Sequence, residues 1–497
     1  MKIQIKNLGP IAEFEFDLTK DLSIIFGKNN IGKSYAIICL YILIKNLTKK
    51  SFLRVPYEYI TLYNGGFINE IDGVLFSISD NISTFNKSLA KKFSSPKLDE
   101  IEITNDIRNI INNLIESIIL PDLQKSFSNS FDSINNLSNK FSGKKFSIIL
   151  NFDNLKFTIS AKDDNLELEN LIFKDKYFVK KAKTNRGPTI KDNKFILYYN
   201  TKPSAGRGRK AILYHPINRL FSNIQTEISQ NINNIYFLPA SRSGLYEALS
   251  TFSAVIAELS KSRNFLTKRI ELPNISEPVS DYFLYLSNIS RPQNIKKYTQ
   301  IATEIENQIL EGEVSFNKES RKIVYTPKDV NTQLDLSFTS SMVSEIAPIV
   351  AFLKYIISDR EHFYPHDEYF YEDPRSRSKA SNLIFIEEPE AHLHPEIQVK
   401  LMELFVKLTK CNIKLVMTSH SNYMFNKLNN LILDKKIDSK NIICNLLKFG
   451  KSGSKVDPKL MKVEDDGILD ENFVMTSEKL FEERQNISKN KEKDVIN

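Results

Sequence analysis

The sequence has few cysteines and no long apolar segment. Its three cysteines, Cys39, Cys411 and Cys444, are far apart and odd in number, which excludes a disulfide framework and a zinc site made only of cysteine. The longest clean apolar run, 35–44, is about half of what a membrane-spanning helix needs. Residues 1–6 alternate like a β-strand and lack the apolar stretch of a signal peptide. These absences argue against a secreted, membrane or fibrous protein and predict a soluble, cytoplasmic one with no membrane partner.

Length and composition indicate a folded protein of more than one unit. The chain has 497 residues, of which 41% are hydrophobic and 26% are charged. It can therefore bury a sizeable core, and its length fits roughly two to four folded units. Lys and Arg number 68 against 60 Asp and Glu, which gives a net charge of +8. This mild excess of positive charge does not by itself indicate a nucleic-acid-binding protein.

The strongest signal is a glycine-containing turn between a short apolar strand, 22–26, and a helical pattern that is apolar nearly all round, 33–47. The turn fits G-x-x-x-x-G-K-[ST] in the strand–helix context that confirms this motif, the alternative being a glycine turn with a chance lysine. Glycines let backbone N–H groups turn towards a phosphate. Lys33 is expected to bridge the β- and γ-phosphates of ATP, and the Ser34 hydroxyl to ligate Mg²⁺. The predicted nucleotide-binding residues are Gly27, Lys28, Asn29, Asn30, Gly32, Lys33 and Ser34.

A second apolar strand ends in two adjacent carboxylates, in the segment 382–390. A phosphate loop needs an acid at the end of a neighbouring buried strand to hold Mg²⁺, and a group that deprotonates water. Glu387 is the predicted metal ligand, directly or through water, and Glu388 the predicted general base. A solvated acidic turn is the alternative, but adjacent carboxylates ending an apolar strand are costly unless a cation or a reaction uses them.

A third strand, 415–419, ends at His420. At that position the imidazole can hydrogen-bond the γ-phosphate and respond to its presence. Most lone histidines have only a structural role. The position at a strand end beside the acidic pair favours a catalytic or sensing role for His420.

Together these segments resemble the ABC-type ATPase heads of SMC-like proteins and, more narrowly, the RecF-like and OLD-family ATPases of bacteria. The resemblance depends on the segments 5–11, 26–34, 386–395 and 418–421. It implies a P-loop NTPase of the α/β class, with an ABC/SMC-head-like mixed sheet, flanking helices and an α+β insertion. It also implies ATP hydrolysis with Mg²⁺ at the interface of a head-to-tail homodimer or higher homo-oligomer.

In such a dimer, a signature motif of one subunit covers the γ-phosphate held by the other. The counterpart here is the segment 338–342, in which Ser340 and Ser341 could donate hydroxyl and backbone N–H groups across the interface. The glycine expected after the serine is absent, and Pro348 is predicted to interrupt the following helix. A plain serine helix cap is the alternative.

Arg242 follows an apolar strand in the segment 236–242, which also resembles a recurring segment of these ATPases. It is a candidate phosphate-sensing arginine in the nucleotide site. The alternative is a salt bridge at the protein surface.

Positive charge is concentrated in one window, 174–210. This window holds twelve basic and two acidic residues, so it carries +10 and the rest of the chain −2. Tyrosines and phenylalanines are interleaved with the charges. Backbone phosphates need this density of charge, and aromatic rings can stack on bases. The window predicts contact with nucleic acid, and a basic hairpin on a lysine-rich background is the competing interpretation.

We divide the chain into an ATPase core split between 1–50 and 236–480, a mixed insertion at 51–235 and a charged tail at 481–497. The predicted function is a nucleotide-gated switch that controls a separate effector protein in bacterial anti-phage defence. Only 77 residues follow His420, too few for the Toprim nuclease domain that OLD-family ATPases often carry. The alternatives are a RecF-like DNA-repair ATPase acting directly on DNA and, third, the nucleotide-binding subunit of a transporter.

Overall fold

The computed structural model describes residues 1–48, 88–89, 91–95, 98–184, 186–200, 224, 227–228, 231–249, 275–289, 291–330, 332–358, 380–456, 461–468 and 478–487. Within these ranges, every helix is too short or too polar to span a bilayer.

The strands of the described residues are short and distributed along the whole chain. In chain order they are β1 Lys2–Leu8, β2 Ile11–Asp17, β3 Leu22–Phe26, β4 Glu100–Glu102, β5 Ser147–Asn151, β6 Leu155–Lys162, β7 Asn165–Phe173, β8 Lys176–Ala182, β9 Thr189–Lys191, β10 Lys194–Asn200, β11 Ile232–Leu238, β12 Gly312–Asn317, β13 Lys322–Pro327, β14 Leu334–Asp335, β15 Ser381–Glu387, β16 Ile413–Ser419, β17 Ile442–Gly450, β18 Gly453–Val456, β19 Val463–Glu464 and β20 Gly467–Ile468.

The helices are concentrated around the nucleotide motif and in the second half of the chain. They are α1 Lys33–Thr48, α2 Thr104–Leu114, α3 Leu120–Phe131, α4 Glu277–Ser287, α5 Lys296–Ile305, α6 Ser341–Ala351, α7 Pro395–Thr409 and α8 Asn422–Leu433. Residues 242–249 and 478–487 are also helical. The latter overlap the predicted charged tail.

The largest sheet combines a parallel half with a mostly antiparallel half. In the parallel half the strand order is β11-β15-β16-β3-β17, and every neighbouring pair is parallel. The sheet continues as β18-β2-β1-β5-β6-β7, where β1 and β2 form the antiparallel hairpin expected from their alternating sequence. This mixed sheet with flanking helices confirms the predicted α/β fold class.

The parallel half is covered on both faces. Ile25 of β3 and Phe385 of β15 belong to the core around α1, whereas Ile24 and Ile386 belong to the core built with α5–α8. All five residues of β3 are buried, as expected for a strand buried on both faces. The loop at the end of β3 is thus held by a strand that cannot shift without disturbing two cores.

The predicted insertion, 51–235, contributes to two sheets. β5–β7 extend the main sheet, because β5 pairs with β1 along Lys2–Lys6. β4, β8, β9 and β10 form a separate four-stranded sheet in the order β4-β8-β10-β9. Part of this range is therefore continuous with the main sheet.

The helix α6 continues through Pro348, so the predicted interruption is wrong. Proline has no N–H and cannot bond to the carbonyl four residues earlier, which is a local cost. Every residue from Val343 to Ala351 is buried, and this packing offsets the lost hydrogen bond. The helix leads into a π-helical turn at Phe352–Ile356.

Candidate nucleotide site

The loop between β3 and α1 has backbone φ angles that residues with side chains rarely adopt. Gly27 and Gly32 have φ angles of +146° and +101°, and Asn30 has +61°. A Cβ atom at Gly27 would lie 2.9 Å from the carbonyl oxygen of Leu447, so neither the backbone angle nor the space admits a side chain there. Lys28, Asn29 and Asn30 are exposed along the loop.

Lys33 is folded back under this loop. Its Nζ donates to the carbonyl oxygens of Gly27 at 3.2 Å and Lys28 at 3.0 Å, and the residue is buried. Burial lowers the pKa of Lys33, while three nearby glutamate carboxylates oppose that shift. An ammonium group held inside a glycine loop is placed to meet phosphate oxygens that enter the loop.

Ser34 and Glu387 lie together, although 353 positions separate them in sequence. The Ser34 hydroxyl lies close enough to the Glu387 carboxylate to lower its pKa, and Glu387 is only 7% exposed. Burial nevertheless raises the pKa of Glu387, against the opposing influence of the Ser34 hydroxyl and the backbone N–H of Ala240. Mg²⁺ takes one or two carboxylates plus phosphates and waters. A buried carboxylate beside a hydroxyl fits that need.

Glu388 and His420 form a pair at the same edge of the sheet. The Nε2 atom of His420 lies 3.3 Å from Oε1 of Glu388, and both side chains are partly exposed. The hydrogen bond from His420 lowers the pKa of Glu388, so this carboxylate stays ionised to lower pH than an ordinary glutamate. Glu388 has a φ of +41°, and its backbone N–H donates to the carbonyl oxygen and hydroxyl of Thr418, at 3.2 Å each.

The sequence predicts that the acidic strand β15 is a direct neighbour of the P-loop strand β3. In the structure the two strands are not adjacent. β16 lies between β3 and β15. The ends of three parallel strands meet at one edge of the sheet, which places His420 of the middle strand beside Glu388.

Glu390 is a residue of this site that sequence reasoning missed. Its Oε1 accepts hydrogen bonds from the Ser419 hydroxyl at 2.9 Å and the His420 backbone N–H at 2.5 Å. Burial raises the pKa of Glu390, and within the described part of the chain its Oε2 has no hydrogen-bond partner. Glu390 holds the turn that presents His420. A third carboxylate two residues after an acidic pair was the available signal.

Arg242 has a different place from the predicted phosphate contact. It is fully buried and pairs with Glu345, Nη2 to Oε2, at 3.2 Å. Nε donates to the carbonyl of Glu345, and Nη1 to the carbonyls of Pro239 and Glu387, each at 3.0 Å. Nη2 also reaches the carbonyl of Glu388 at 3.5 Å. These contacts account for all five N–H groups of the guanidinium, so Arg242 ties elements together under the site.

The predicted trans serines lie at the start of α6, away from the phosphate loop's contacts. Ser340 is the N-cap, and its Oγ accepts a hydrogen bond from the N–H of Val343 at 3.4 Å. Both Ser340 and Ser341 are exposed, and Phe338 just before them is 82% exposed. The helix-cap contact is thus present for Ser340, while both serines remain accessible to another molecule.

Part of the basic window forms the small sheet. Lys176 of β8 lies opposite Lys194 of β10, which lies opposite Lys191 of β9. Three lysines thus form one row across three strands, and all three are exposed. Four basic residues of the window lie outside the described residues: Lys202, Arg207, Arg209 and Lys210.

Comparison with known proteins gives a family and a set of similar folds. The curated proteins compared with this chain include no match. Among solved structures, a Smc head bound to the C-winged helix domain of ScpA is 10% identical, with 96% of this chain and 98% of that chain covered and a TM-score of 0.37. An SMC head domain from Thermotoga maritima is 8% identical, with 92% and 97% covered and a TM-score of 0.32.

A third structure is a Smc head domain with an extended coiled coil, bound to the C-terminal domain of ScpA, from Pyrococcus furiosus. It is 12% identical, with 97% of this chain and 98% of that chain covered and a TM-score of 0.33. The sequence profile of the AAA ATPase domain matches residues 1–425. This match spans most of the chain and includes the phosphate loop, the acidic pair and His420. The chain therefore belongs to the AAA ATPase domain family.

Proposed function

We propose that this protein binds ATP with Mg²⁺ and hydrolyses it, and that the bound nucleotide switches the protein between two assemblies. The observation that carries the proposal is the convergence of Lys33, Ser34, Glu387, Glu388 and His420 at the ends of three adjacent parallel strands. Membership of the AAA ATPase domain family supports the nucleotide.

Each side chain has a distinct role in this proposal. Lys33 binds the β- and γ-phosphates, and Ser34 and Glu387 hold Mg²⁺, which neutralises phosphate charge when bound. Glu388 accepts a proton from the attacking water, because its lowered pKa keeps it ionised. His420 orients Glu388 and contacts the γ-phosphate. Glu390 holds the backbone of His420 in place.

The switch is a head-to-tail homodimer that forms around ATP. The exposed serines Ser340 and Ser341 of one subunit cover the nucleotide of the other. The likeness of the segment 386–395 to OLD-family ATPases supports a role in bacterial anti-phage defence, in which the ATP-bound dimer controls a separate effector protein.

Two variants and a control test this proposal. Lys33→Ala should abolish ATP binding, whereas Glu388→Gln should bind ATP, fail to hydrolyse it and accumulate as a dimer. Lys6→Ala, which changes a half-buried lysine only loosely paired with Glu13 at 3.9 Å, should behave as the wild type. Equilibrium binding of a fluorescent ATP analogue, phosphate release and light scattering give the three readouts. Hydrolysis by Glu388→Gln at the wild-type rate would contradict the base assignment.

The row of three lysines supports a second partner, a single-stranded nucleic acid. Neighbouring strands lie about 4.8 Å apart, and like charges directly opposite one another destabilise a sheet. The row has no ion pair within the described part of the chain; Lys194 instead lies over the ring of Phe178, 5.0 Å from its centroid. A phosphate backbone laid along this row would relieve the repulsion, and Phe178 and Tyr198 on the same face offer rings for stacking.

Charge reversal tests this surface. The triple variant Lys176→Glu, Lys191→Glu and Lys194→Glu should weaken binding of single-stranded DNA and RNA oligonucleotides. It should also reduce the slope of log affinity against log salt by about one per lost phosphate contact. The control reverses the exposed lysines Lys140, Lys144 and Lys145. Equal losses in both triples would mean that only net charge matters, and no loss in either would remove this partner.

A further inference from the structure

We propose that the buried Arg242–Glu345 pair is a relay that connects the signature end of α6 to the general base of the same subunit, so that the two ATP sites of a dimer act cooperatively. This inference rests on the proposed function. Arg242 is a positioning residue in it, since the guanidinium touches no reacting atom.

The first step is the attachment of Arg242 to the catalytic strand. Two of its N–H groups end on the carbonyl oxygens of Glu387 and Glu388, at 3.0 and 3.5 Å. These are the backbones of the metal ligand and the general base. Glu388 holds a φ of +41°, a strained angle for a residue with a side chain. Arg242 therefore helps to fix the backbone on which the base stands.

The second step is the attachment of Arg242 to α6. Glu345 is fully buried and lies little more than one turn after Ser340. Its carboxylate accepts from the backbone N–H of Arg242 at 3.2 Å and of Ser243 at 3.3 Å, and from the Ser243 hydroxyl at 2.7 Å. Its carbonyl oxygen accepts from Nε of Arg242 at 3.0 Å. The start of α6 thus cannot move independently of Arg242.

The third step is the choice between a relay and a simple stabilising pair. A buried ion pair is weak evidence for stability, since hydrophobic residues of similar volume often serve as well. The distribution of contacts is more informative. The guanidinium of Arg242 donates hydrogen bonds both to α6, the helix that carries the trans serines, and to the backbone of Glu387 and Glu388. All of its N–H groups are used. This is a rigid connection between two functional elements.

The consequence appears only in a dimer. The serines of α6 contact the γ-phosphate bound by the partner subunit. ATP that binds in one site therefore displaces α6 of the other subunit. Through Glu345 and Arg242 that displacement reaches Glu388 of the second site. Occupation of one site therefore favours the reactive geometry of the other, which is positive cooperativity between equivalent sites.

The experiment is steady-state ATP hydrolysis as a function of ATP concentration, together with equilibrium binding to separate KM from kcat. The wild type should show a Hill coefficient well above 1, towards about 2 for two coupled sites. Glu345→Gln should reduce the coefficient to about 1 and lower kcat by about tenfold, with ATP affinity nearly unchanged. Arg242→Lys, which retains the charge but cannot span the same acceptors, should do the same.

Glu306→Gln is the matched control. Glu306 is a buried carboxylate of the same helical layer, paired with Lys354 at 2.6 Å and bonded to the backbone N–H of Val314. Both of these contacts lie away from the acidic strand, so the loss of the Glu306 carboxylate should affect stability but not the Hill coefficient. If Glu345→Gln does not fold, Ser243→Ala removes one contact of the carboxylate and should lower the coefficient partially.

The outcomes separate this inference from the proposed function. A wild type that neither hydrolyses ATP nor dimerises overturns the proposed function. A wild type that does both with a Hill coefficient of 1 overturns the relay alone. So does an unchanged coefficient in both Glu345→Gln and Arg242→Lys, or an equal fall in Glu306→Gln.

Discussion

Arg242 and the lysine row of the small sheet both carry positive charge, but their environments are opposite. Arg242 has no exposed surface, and four backbone carbonyl oxygens and the Glu345 carboxylate surround its guanidinium. Lys176, Lys191 and Lys194 stand side by side in water without an ion pair among the described residues. A charge that is fully compensated inside the protein serves internal geometry. An uncompensated row at the surface is available to a partner outside it.

The largest effect that this comparison predicts is the loss of stability in Arg242→Ala. The substitution leaves the Glu345 carboxylate buried without its cation, which typically costs about 3–5 kcal/mol. The free energy of unfolding from urea denaturation measures this. Lys194→Ala should change the same quantity by less than about 0.5 kcal/mol, as most surface substitutions do. Similar losses at the two positions would break the distinction.

The second prediction separates geometry from chemistry at the acidic pair. Glu388→Gln should reduce kcat by about 10²- to 10⁴-fold, because it removes the proposed general base while keeping the side chain's shape. Glu388 is partly exposed, so the free energy of unfolding should change little. Single-turnover phosphate release and urea denaturation of the same preparation provide both numbers. A large loss of stability would mean that the carboxylate is a structural group like Arg242.

The nucleotide loop could be predicted from sequence, and the network beneath it could not. Gly27, Gly32, Lys33 and Ser34 lie within one turn whose backbone angles dictate the residue types, so the local sequence contains the signal. The pairing of Arg242 with Glu345 joins residues 103 positions apart.

The order of the strands in the main sheet likewise could not be predicted from local sequence. The register that places β16 between β3 and β15 depends on packing of the whole sheet. Nor does the sequence around a single arginine after an apolar strand reveal whether that arginine is buried. The sequence predicts a phosphate contact for Arg242, whereas the structure has an internal ion pair with Glu345. The acids and His420 were recognisable because each ends an apolar strand.

The third prediction concerns pH. The hydrogen bond from His420 lowers the pKa of Glu388, so this carboxylate is ionised over a wider acidic range. His420→Ala removes that hydrogen bond and the pKa of Glu388 should rise, which moves the acidic limb of the kcat–pH profile to higher pH. His392→Ala changes an exposed histidine in the loop that begins at Glu388. This variant should leave the acidic limb of the profile in place. An unshifted limb in His420→Ala would show that another group sets the ionisation of Glu388.

The smallest predicted effect has the opposite sign to the first. Lys191→Glu places a carboxylate opposite Lys194 on the neighbouring strand, replacing a like-charge pair with an opposite-charge pair. Cross-strand pairs of this kind contribute about 0.2–1 kcal/mol, so the variant should be slightly more stable than the wild type. The gain should shrink at high salt, because exposed charges are screened. Removal of a positive charge would then stabilise the protein at the sheet and destabilise it at Arg242. A loss of stability in Lys191→Glu at low salt would mean that the row is compensated from within the chain, and the argument for an external polyanion would lose its physical basis.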